Sequence, residues 1–331
     1  MIRYEAFRCW KLCFPSRRLS ASELTLARPA LSVLIAAPVS RVQAQPGPIT
    51  HVTAGQRRRY SARSHRVSLN GANALIADAG KLTTNSALAG LNTVSGDFRL
   101  AAGASVTTTG GLSIVGSGDV LVDSPFNNGG GGSSLKVGGT LTNSSSNSNP
   151  FYIGNTFISV GDTVTAKALV NTGNIQIAGN GTIESVLNIA GAAGFGTLGV
   201  ATGAVTLTNS LLEFASGQIG TIVGFVGLNG ANAVIADAGK LTTNSALTGL
   251  NTVSGDFRLA AGASVTTTGG LSITGSGDVL VDSPFNNGGG GSSLKVGGTL
   301  TNSSSNNNAF YIGASCRNIG SFTGGTDSLL M

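Results

Sequence analysis

Short apolar runs alternate with small and polar residues along most of the chain from about residue 68 onward. The clearest runs are residues 98–100, 105–107, 112–114, 120–122, 135–137, 151–153, 174–177, 186–189, 197–200, 205–207 and 211–214. Gly, Asn, Ser and Thr separate these runs, and such residues favour turns. Apolar residues at alternate positions between turn signals predict short β-strands. We therefore expect an all-β fold.

The chain contains a long internal duplication. Residues 69–154 recur as residues 228–313 at an offset of 159, and the two 86-residue blocks are identical at 81 positions. A unique spacer, residues 155–227, separates them, and residues 314–331 do not match the sequence that follows the first block. The organisation we expect is a signal-like leader (1–44), a basic flexible arm (45–67), a repeat-built domain (68–313) and an unmatched tail (314–331).

Short strands at close spacing, joined by small residues, are typical of a parallel β-solenoid. Each rung of a solenoid shares its core only with its neighbours, so Val, Ile and Leu should fill a narrow column that large aromatic side chains would crowd. With rungs of about 20 residues, the offset of 159 residues corresponds to about eight rungs. We expect Asn-rich corners such as residues 143–147 to satisfy backbone groups through side-chain hydrogen bonds.

The composition agrees with this architecture. The chain has 50 Gly, only 5% aromatic and 10% charged residues. Glycine at this level disfavours helices. A sandwich would have a more aromatic core, and a membrane barrel would have strands of about 10 residues. Candidate nucleophiles and bases are few, because both histidines and two of the three cysteines precede the patterned region: His51, His65, Cys9 and Cys13.

The net charge of +6 is unevenly distributed. Residues 1–66 carry +10, with 12 basic and 2 acidic residues, whereas residues 67–331 carry −4, with 8 basic and 12 acidic residues. Five arginines near the end of this first segment could neutralise phosphates without reading a sequence: Arg57, Arg58, Arg59, Arg63 and Arg66. No basic surface studded with aromatic residues follows them, so we interpret the segment as a solvated arm and expect no nucleic-acid partner.

The first 44 residues resemble a secretory signal. Three arginines precede the ten-residue apolar run 30–39: Arg17, Arg18 and Arg28. Val42 and Ala44 then place small residues at the −3 and −1 positions of a cleavage site, which predicts cleavage after Ala44. The run is too short to span a membrane. A mitochondrial transit peptide is the alternative, since residues 1–66 are rich in Arg and Ser. After cleavage only Cys316 remains, so no intramolecular disulfide can form.

Three stretches of the patterned region carry a family resemblance: residues 168–177, 187–191 and 203–208. They resemble the repeats of bacterial type V secreted passengers, the autotransporter and filamentous-haemagglutinin-like β-helical proteins. The resemblance covers roughly residues 69–313 and implies a right-handed parallel β-helix, exported to the cell surface, with an adhesive or structural spacer role. It also implies a host or cell-surface ligand and an outer-membrane transporter. Because no recognisable translocator follows residue 313, we expect a fragment of a larger exoprotein or a separate transporter.

Two glycine-rich motifs suggest chemistry. Residues 116–123, repeated as 275–282, resemble half of a calcium-binding nonapeptide, but Asp119 follows the second Gly directly and no tandem nonapeptides occur. We interpret this motif as a glycine turn that enters a strand, with Asp119 and Asp123 solvated. Residues 129–132 are four glycines that lack the Lys-Ser/Thr of a phosphate-binding loop, so we expect a flexible loop that leaves the solenoid.

A carbohydrate-active β-helix is the alternative function, because acidic and basic residues occur in matched sets. The sets are Asp78, Lys81, Asp97, Arg99, Asp119 and Asp123, and Asp237, Lys240, Asp256, Arg258, Asp278 and Asp282. Paired carboxylates could serve acid–base chemistry. Neither block contains a His or an acid pair that the pattern would bury. We therefore assign no catalytic, cofactor-binding or metal-binding residue and expect no cofactor and no enzyme. The uncapped rung after Tyr311 should favour end-to-end self-association.

Overall fold

The computed structural model describes residues 66–79, 81, 83–126, 130–193, 199–216, 219–237, 239–283 and 290–313. Within these ranges the chain forms 27 strands, numbered β1 to β27 along the chain, and two one-turn 3-10 helices, η1 (Ser86–Leu88) and η2 (Ser245–Leu247). The predicted leader, most of the arm and the C-terminal tail lie outside the described residues. In the described part of the chain, no helix has the length and apolar character to cross a membrane.

The strands form parallel sheets on three faces, so the fold is the predicted all-β parallel solenoid. The first face is a ten-stranded sheet: β1 (Arg66–Asn70), β3 (Asp97–Ala101), β6 (Asp119–Val122), β9 (Phe151–Gly154), β12 (Asn174–Ala178), β15 (Ala204–Thr208), β18 (Phe225–Asn229), β21 (Asp256–Ala260), β24 (Asp278–Val281) and β27 (Phe310–Ile312). Its first strand begins at Arg66, two residues before the predicted start of the solenoid.

The other two faces are each divided into two sheets. The second face has a six-stranded sheet and a two-stranded sheet: β4 (Ser105–Thr108), β7 (Ser134–Val137), β10 (Thr163–Ala166), β13 (Val186–Ala193), β16 (Leu211–Ser216) and β19 (Val234–Asp237), then β22 (Ser264–Thr267) and β25 (Ser293–Val296). The third face has four and then five strands: β2 (Thr93–Val94), β5 (Leu112–Ile114), β8 (Thr140–Asn143) and β11 (Ala168–Asn171), then β14 (Val200–Ala201), β17 (Thr221–Ile222), β20 (Thr252–Val253), β23 (Leu271–Ile273) and β26 (Leu300–Asn302).

The duplication spans a whole number of rungs. Val67 reaches Val226, 159 residues later, in six register steps along the ten-stranded sheet, through Phe98, Val120, Phe151, Ile175 and Val205. The steps are 21 to 31 residues long. The expected count of eight rungs is therefore wrong, because several rungs carry long loops, such as residues 123–133 between β6 and β7, that the strand pattern does not reveal.

The core is one continuous column of inward-facing side chains. In the ten-stranded sheet, four of the ten positions in one inward row are phenylalanines: Phe98, Phe151, Phe257 and Phe310. Each of them has only Val or Ile as its partner on the adjacent strands. The expectation that aromatic side chains would crowd the column is wrong for this row, because each ring lies beside smaller side chains.

The polar corners are held by side-chain hydrogen bonds, as predicted. The buried Asn143 donates from Nδ2 to Oδ1 of Asn171 on the next rung at 2.9 Å and to the backbone oxygen of Asn174 at 3.0 Å. Ser145 donates from Oγ to the backbone oxygens of Gly116 and Gly118 at 3.0 and 2.8 Å. These bonds join one rung to the next, so the corners contribute to the stacking.

Candidate functional site

Two groups of charged side chains lie on the outer side of the ten-stranded sheet. Phe98 and Leu100 of β3 face the core, so Asp97 and Arg99 face outward. Asp119, the first residue of β6, is the register partner of Asp97, and adjacent strands lie about 4.8 Å apart. We call Asp97, Arg99 and Asp119 the first outer acid patch. Asp256, Arg258 and Asp278, at the same positions of the second block, form the second outer acid patch.

In the first outer acid patch, one carboxylate is paired and the other is buried. Asp97 Oδ2 accepts from Arg99 Nη2 at 3.0 Å and from Arg66 Nε at 3.2 Å. Asp119 is 9% exposed, and its Oδ1 has no hydrogen-bond partner among the described residues. Burial, followed by the Asp97 charge, raises the pKa of Asp119 to about 6 against the opposing charges of Arg99 and Arg66. This patch therefore combines a carboxylate paired with two arginines and a buried acid whose pKa is raised toward neutral pH.

The second outer acid patch repeats this arrangement with one change. Arg258 Nη2 pairs with Asp256 Oδ2 at 2.8 Å, and burial followed by the Asp256 charge raises the pKa of Asp278 to about 6 against the opposing charge of Arg258. Phe225 replaces Arg66, because the blocks differ before residue 69, and the Arg258 guanidinium carbon lies 5.1 Å from the Phe225 ring centroid. That distance is typical of a cation–π contact.

An aromatic pair lies beside the first outer acid patch. The rings of Phe126 and Tyr152 meet edge to face, with centroids 5.8 Å apart and planes at 88°. Arg99 Nη1 donates to the backbone oxygen of Phe126 at 3.1 Å, which ties the loop after β6 to the patch. Phe126 is 55% exposed. Exposed rings beside carboxylates and a guanidinium offer stacking and hydrogen bonding to a polar ligand.

A second pair of acids lies inside the fold, at the base of the same loop. Asp123 and Asp162 are both fully buried, and both accept from the backbone N–H of Ser133, at 3.1 and 2.9 Å. Asp123 Oδ1 also accepts from the backbone N–H of Ala102 at 2.8 Å. We call Asp123 and Asp162 the inner acid pair. Its existence contradicts the expectation of no buried acid pair, and the burial of Asp119 and Asp123 contradicts their expected solvation.

The inner acid pair holds one shared proton at neutral pH. Burial, the hydrogen bond that the Asp162 carboxyl donates to Asp123, and the charge of Asp123 together raise the pKa of Asp162 to about 8. Burial alone would raise the pKa of Asp123, but hydrogen bonds from Asp162, Ser133 and the backbone lower it. Two contacting carboxyls in a buried site cannot both ionise cheaply. Asp162 therefore keeps the proton and Asp123 the charge.

Among the described residues, the second block lacks this pairing. Asp282, the counterpart of Asp123, accepts from the backbone N–H and hydroxyl of Ser292 at 2.6 and 3.0 Å and from the backbone N–H of Ala261 at 3.0 Å. Asp162 lies in the unique spacer, and the residue at the same offset, Ser321, is not an acid. Sequence inspection missed Asp162. A signal was present, because the Gly-Asp at residues 161–162 matches the Gly-Asp at residues 118–119, where β6 begins.

The remaining predicted residues do not join these groups. Lys81 and Lys240 each donate a backbone N–H to the carbonyl of the acid three residues before, Asp78 and Asp237, at 3.0 Å. Each turn comes directly after a segment of the second face, such as β19, and not after a strand of the ten-stranded sheet. Of the glycine run, the described Gly131 forms a parallel bridge with Val160, so this end of the loop contacts the next rung.

Neither glycine motif forms a metal site in the described residues. Asp119 belongs to the outer acid patch, whereas Asp123 accepts backbone N–H bonds inside the fold, so the two carboxylates do not converge. Across the described ranges, no group of three or more His, Cys, Asp or Glu side chains could hold a metal ion.

Comparison with known proteins adds no relative. No protein-family model, no curated protein and no solved structure matches this chain. The class that the fold defines is the parallel β-solenoid, and its most distinctive surface feature is the pair of outer acid patches.

Proposed function

We propose that the chain is a secreted or cell-surface β-solenoid passenger that binds a surface ligand or acts as a spacer. The observation that carries this proposal is the repetition of the outer acid patch after six rungs on one sheet. With adjacent strands about 4.8 Å apart, the two patches lie about 29 Å apart along the solenoid. A duplication of whole rungs lengthens the solenoid and adds a second patch without changing the core.

Two patches on one face favour bivalent binding. A polymer or a crowded surface that engages one patch meets the second at high effective concentration, which can raise avidity by a factor of about 10² or more. The second patch is the more open of the two, since the Arg258 and Asp256 side chains are 29% and 37% exposed. We therefore propose a repetitive partner, such as a host or cell-surface polysaccharide.

We also propose that the protein is exported to the cell surface. It rests on the leader pattern in residues 1–44 and on the resemblance to type V passengers, which together favour export and an outer-membrane transporter as a partner. The right-handed coiling of the β-helix is a prediction of that resemblance.

A deletion of six rungs tests the function. Removing residues 70–228 joins Leu69 to Asn229 and recreates the Leu-Asn sequence found at both block starts. The shortened chain should fold, lose about 29 Å of length and keep one outer acid patch. Binding of both proteins to a panel of immobilised polysaccharides and host cells is then compared.

A bivalent binder should lose at least about tenfold in apparent affinity on deletion, and Arg99→Ala and Arg258→Ala in the full chain should each cause part of that loss. A spacer should bind nothing in either form, but its reach on a cell surface should shorten. Equal binding by the full and shortened chains, unaffected by the arginine substitutions, would rule out the patches as the binding site.

The second candidate function is a carbohydrate-active enzyme. The observation in its favour is the raised pKa of Asp119 and of Asp278, each beside a second carboxyl group, because paired carboxyl groups can serve acid–base chemistry. Turnover of a polysaccharide that disappears in the Asp119→Asn, Asp278→Asn double variant would establish it. Asp123 and Asp282 are unsuitable for this test. Both accept hydrogen bonds from backbone N–H groups, so their substitution would also perturb the fold.

A further inference from the structure

The two blocks differ most at the N-terminal end of the solenoid, although their sequences there are almost identical. In the second block, Leu247 and Leu250 are 0% and 1% exposed. Their counterparts Leu88 and Leu91 are only partly buried. The neighbouring segment also differs: residues 234–237 form β19, whereas residues 75–78 form no strand.

The difference has a clear structural cause. β19 pairs in parallel with β16 of the preceding rung, with Leu211 beside Val234 and Leu212 beside Ile235. Leu211, Val234 and Ala236 form a small apolar cluster. Among the described residues, no strand pairs with residues 75–78 in the way that β16 pairs with β19. Within the described part of the chain, the first block therefore leaves uncovered the surface that β16 covers in the second.

The open segment is already held in position from its other side. The backbone N–H of Ile76 donates to Asn85 Oδ1 at 2.7 Å, as Ile235 donates to Asn244 Oδ1 at 2.7 Å. The N–H of Asp78 donates to Ser86 Oγ at 2.8 Å, matching the bond from Asp237 to the corresponding serine. Alternate N–H groups of an extended segment point to opposite sides. The N–H groups of Leu75 and Ala77 therefore point away from Asn85 and Ser86, toward the side that β16 occupies in the second block. In the second block, the N–H of Val234 donates to the preceding rung at 2.9 Å.

We propose that this end of the solenoid is a docking site for one added β-strand, supplied by a partner polypeptide in extended form. The strand lies parallel to residues 75–78 and carries two adjacent aliphatic residues and then an aromatic residue two positions later. β16 defines this chemistry, because its Leu211, Leu212 and Phe214 cover the nearly identical segment in the second block. Strand addition gives affinity through main-chain bonds and specificity through alternate side chains.

The chain itself supplies the probe for a test. A fluorescein-labelled peptide with the sequence of residues 209–216 is titrated into the full-length chain, and fluorescence anisotropy is measured. We expect saturable 1:1 binding, weakened at least tenfold when the positions of Leu212 and Phe214 in the peptide carry Asp. Leu75→Asp in the chain should weaken binding similarly. Val223→Asp is the matched control. Val223 is 50% exposed and lies outside the proposed docking site, so this substitution should leave peptide binding unchanged.

Hydrogen exchange gives a second readout with an internal control. The peptide should slow amide exchange in residues 75–78 and 86–91 and leave residues 234–250 unchanged. Absence of saturable binding, or protection elsewhere, would overturn the proposal. The chain could instead fail to bind the peptide and form a dimer that Leu75→Asp abolishes. That result would show that a second copy of the chain occupies this end, and it would overturn the proposed partner strand.

Discussion

A matched pair of core substitutions measures how far the preceding rung stabilises this solenoid. Leu247 and Leu88 occupy the same position of the two blocks and differ in burial, because among the described residues only the second block is covered by a preceding rung, the one that contains β16. Removing a fully buried Leu side chain costs about 3–4 kcal/mol, from lost apolar burial and the cavity that remains. Leu247→Ala should therefore destabilise its surroundings by about that amount, and Leu88→Ala by about half of it or less.

The assay must report local stability, because arrays of repeats depart from two-state unfolding. Native-state hydrogen exchange of the segments around each leucine gives the two free energies separately, and urea unfolding followed by circular dichroism checks the global effect. Equal losses at both positions, or a larger loss for Leu88→Ala, would refute the reasoning. That result would show that the N-terminal end is covered as well as the interior.

Three further predictions test other parts of the account. Because the fold raises the pKa of Asp162 to about 8, stability should decline as the pH rises from about 4 to 8. Asp162→Asn, which mimics the protonated acid, should flatten the decline between about pH 6 and 8 in thermal melts, whereas Asp119 and Asp278 also contribute below about pH 6. N-terminal sequencing of exported protein should begin at Gln45, and an intact N-terminus in the cytoplasm would contradict the leader assignment. A Cβ at Gly118 would lie 2.3 Å from the Val94 oxygen, whereas Gly110 has open space, so Gly118→Ala should lower the melting temperature and Gly110→Ala should leave it nearly unchanged.

The sequence predicted the strands best where apolar residues recur with a period of two. Most of the predicted runs lie inside observed strands, including β3, β6 and β15. It missed β8 and β10, because Leu141 and Val164 are the only large apolar residues in those strands and Thr, Asn and Ala fill the rest. The rung count failed for a different reason: rung length depends on loops, and strand periodicity does not indicate where a loop ends.

The site was only partly predictable, because contacts between rungs depend on loop lengths that the strand periodicity does not indicate. The charged residues of the outer acid patches were all among the candidates, but the contact between Asp97 and Asp119 depends on a register step of 22 residues that composition does not reveal. The sequence grouped Asp78 and Lys81 with these residues because they are close along the chain. In the structure they form a turn that lies outside the ten-stranded sheet. Asp162 was missed because its partner Asp123 lies on the preceding rung.

The central claim is that the two blocks occupy equivalent rungs, six apart, on one continuous solenoid. Asn70 and Asn229 are both exposed, lie at the ends of β1 and β18 and are 159 residues apart. The most direct test is the distance between spin labels on cysteines at these two positions, with the three native cysteines replaced by serine. Six strand spacings predict one narrow distribution centred at about 29 Å. A broad distribution, or a distance far from this value, would contradict the stacked arrangement.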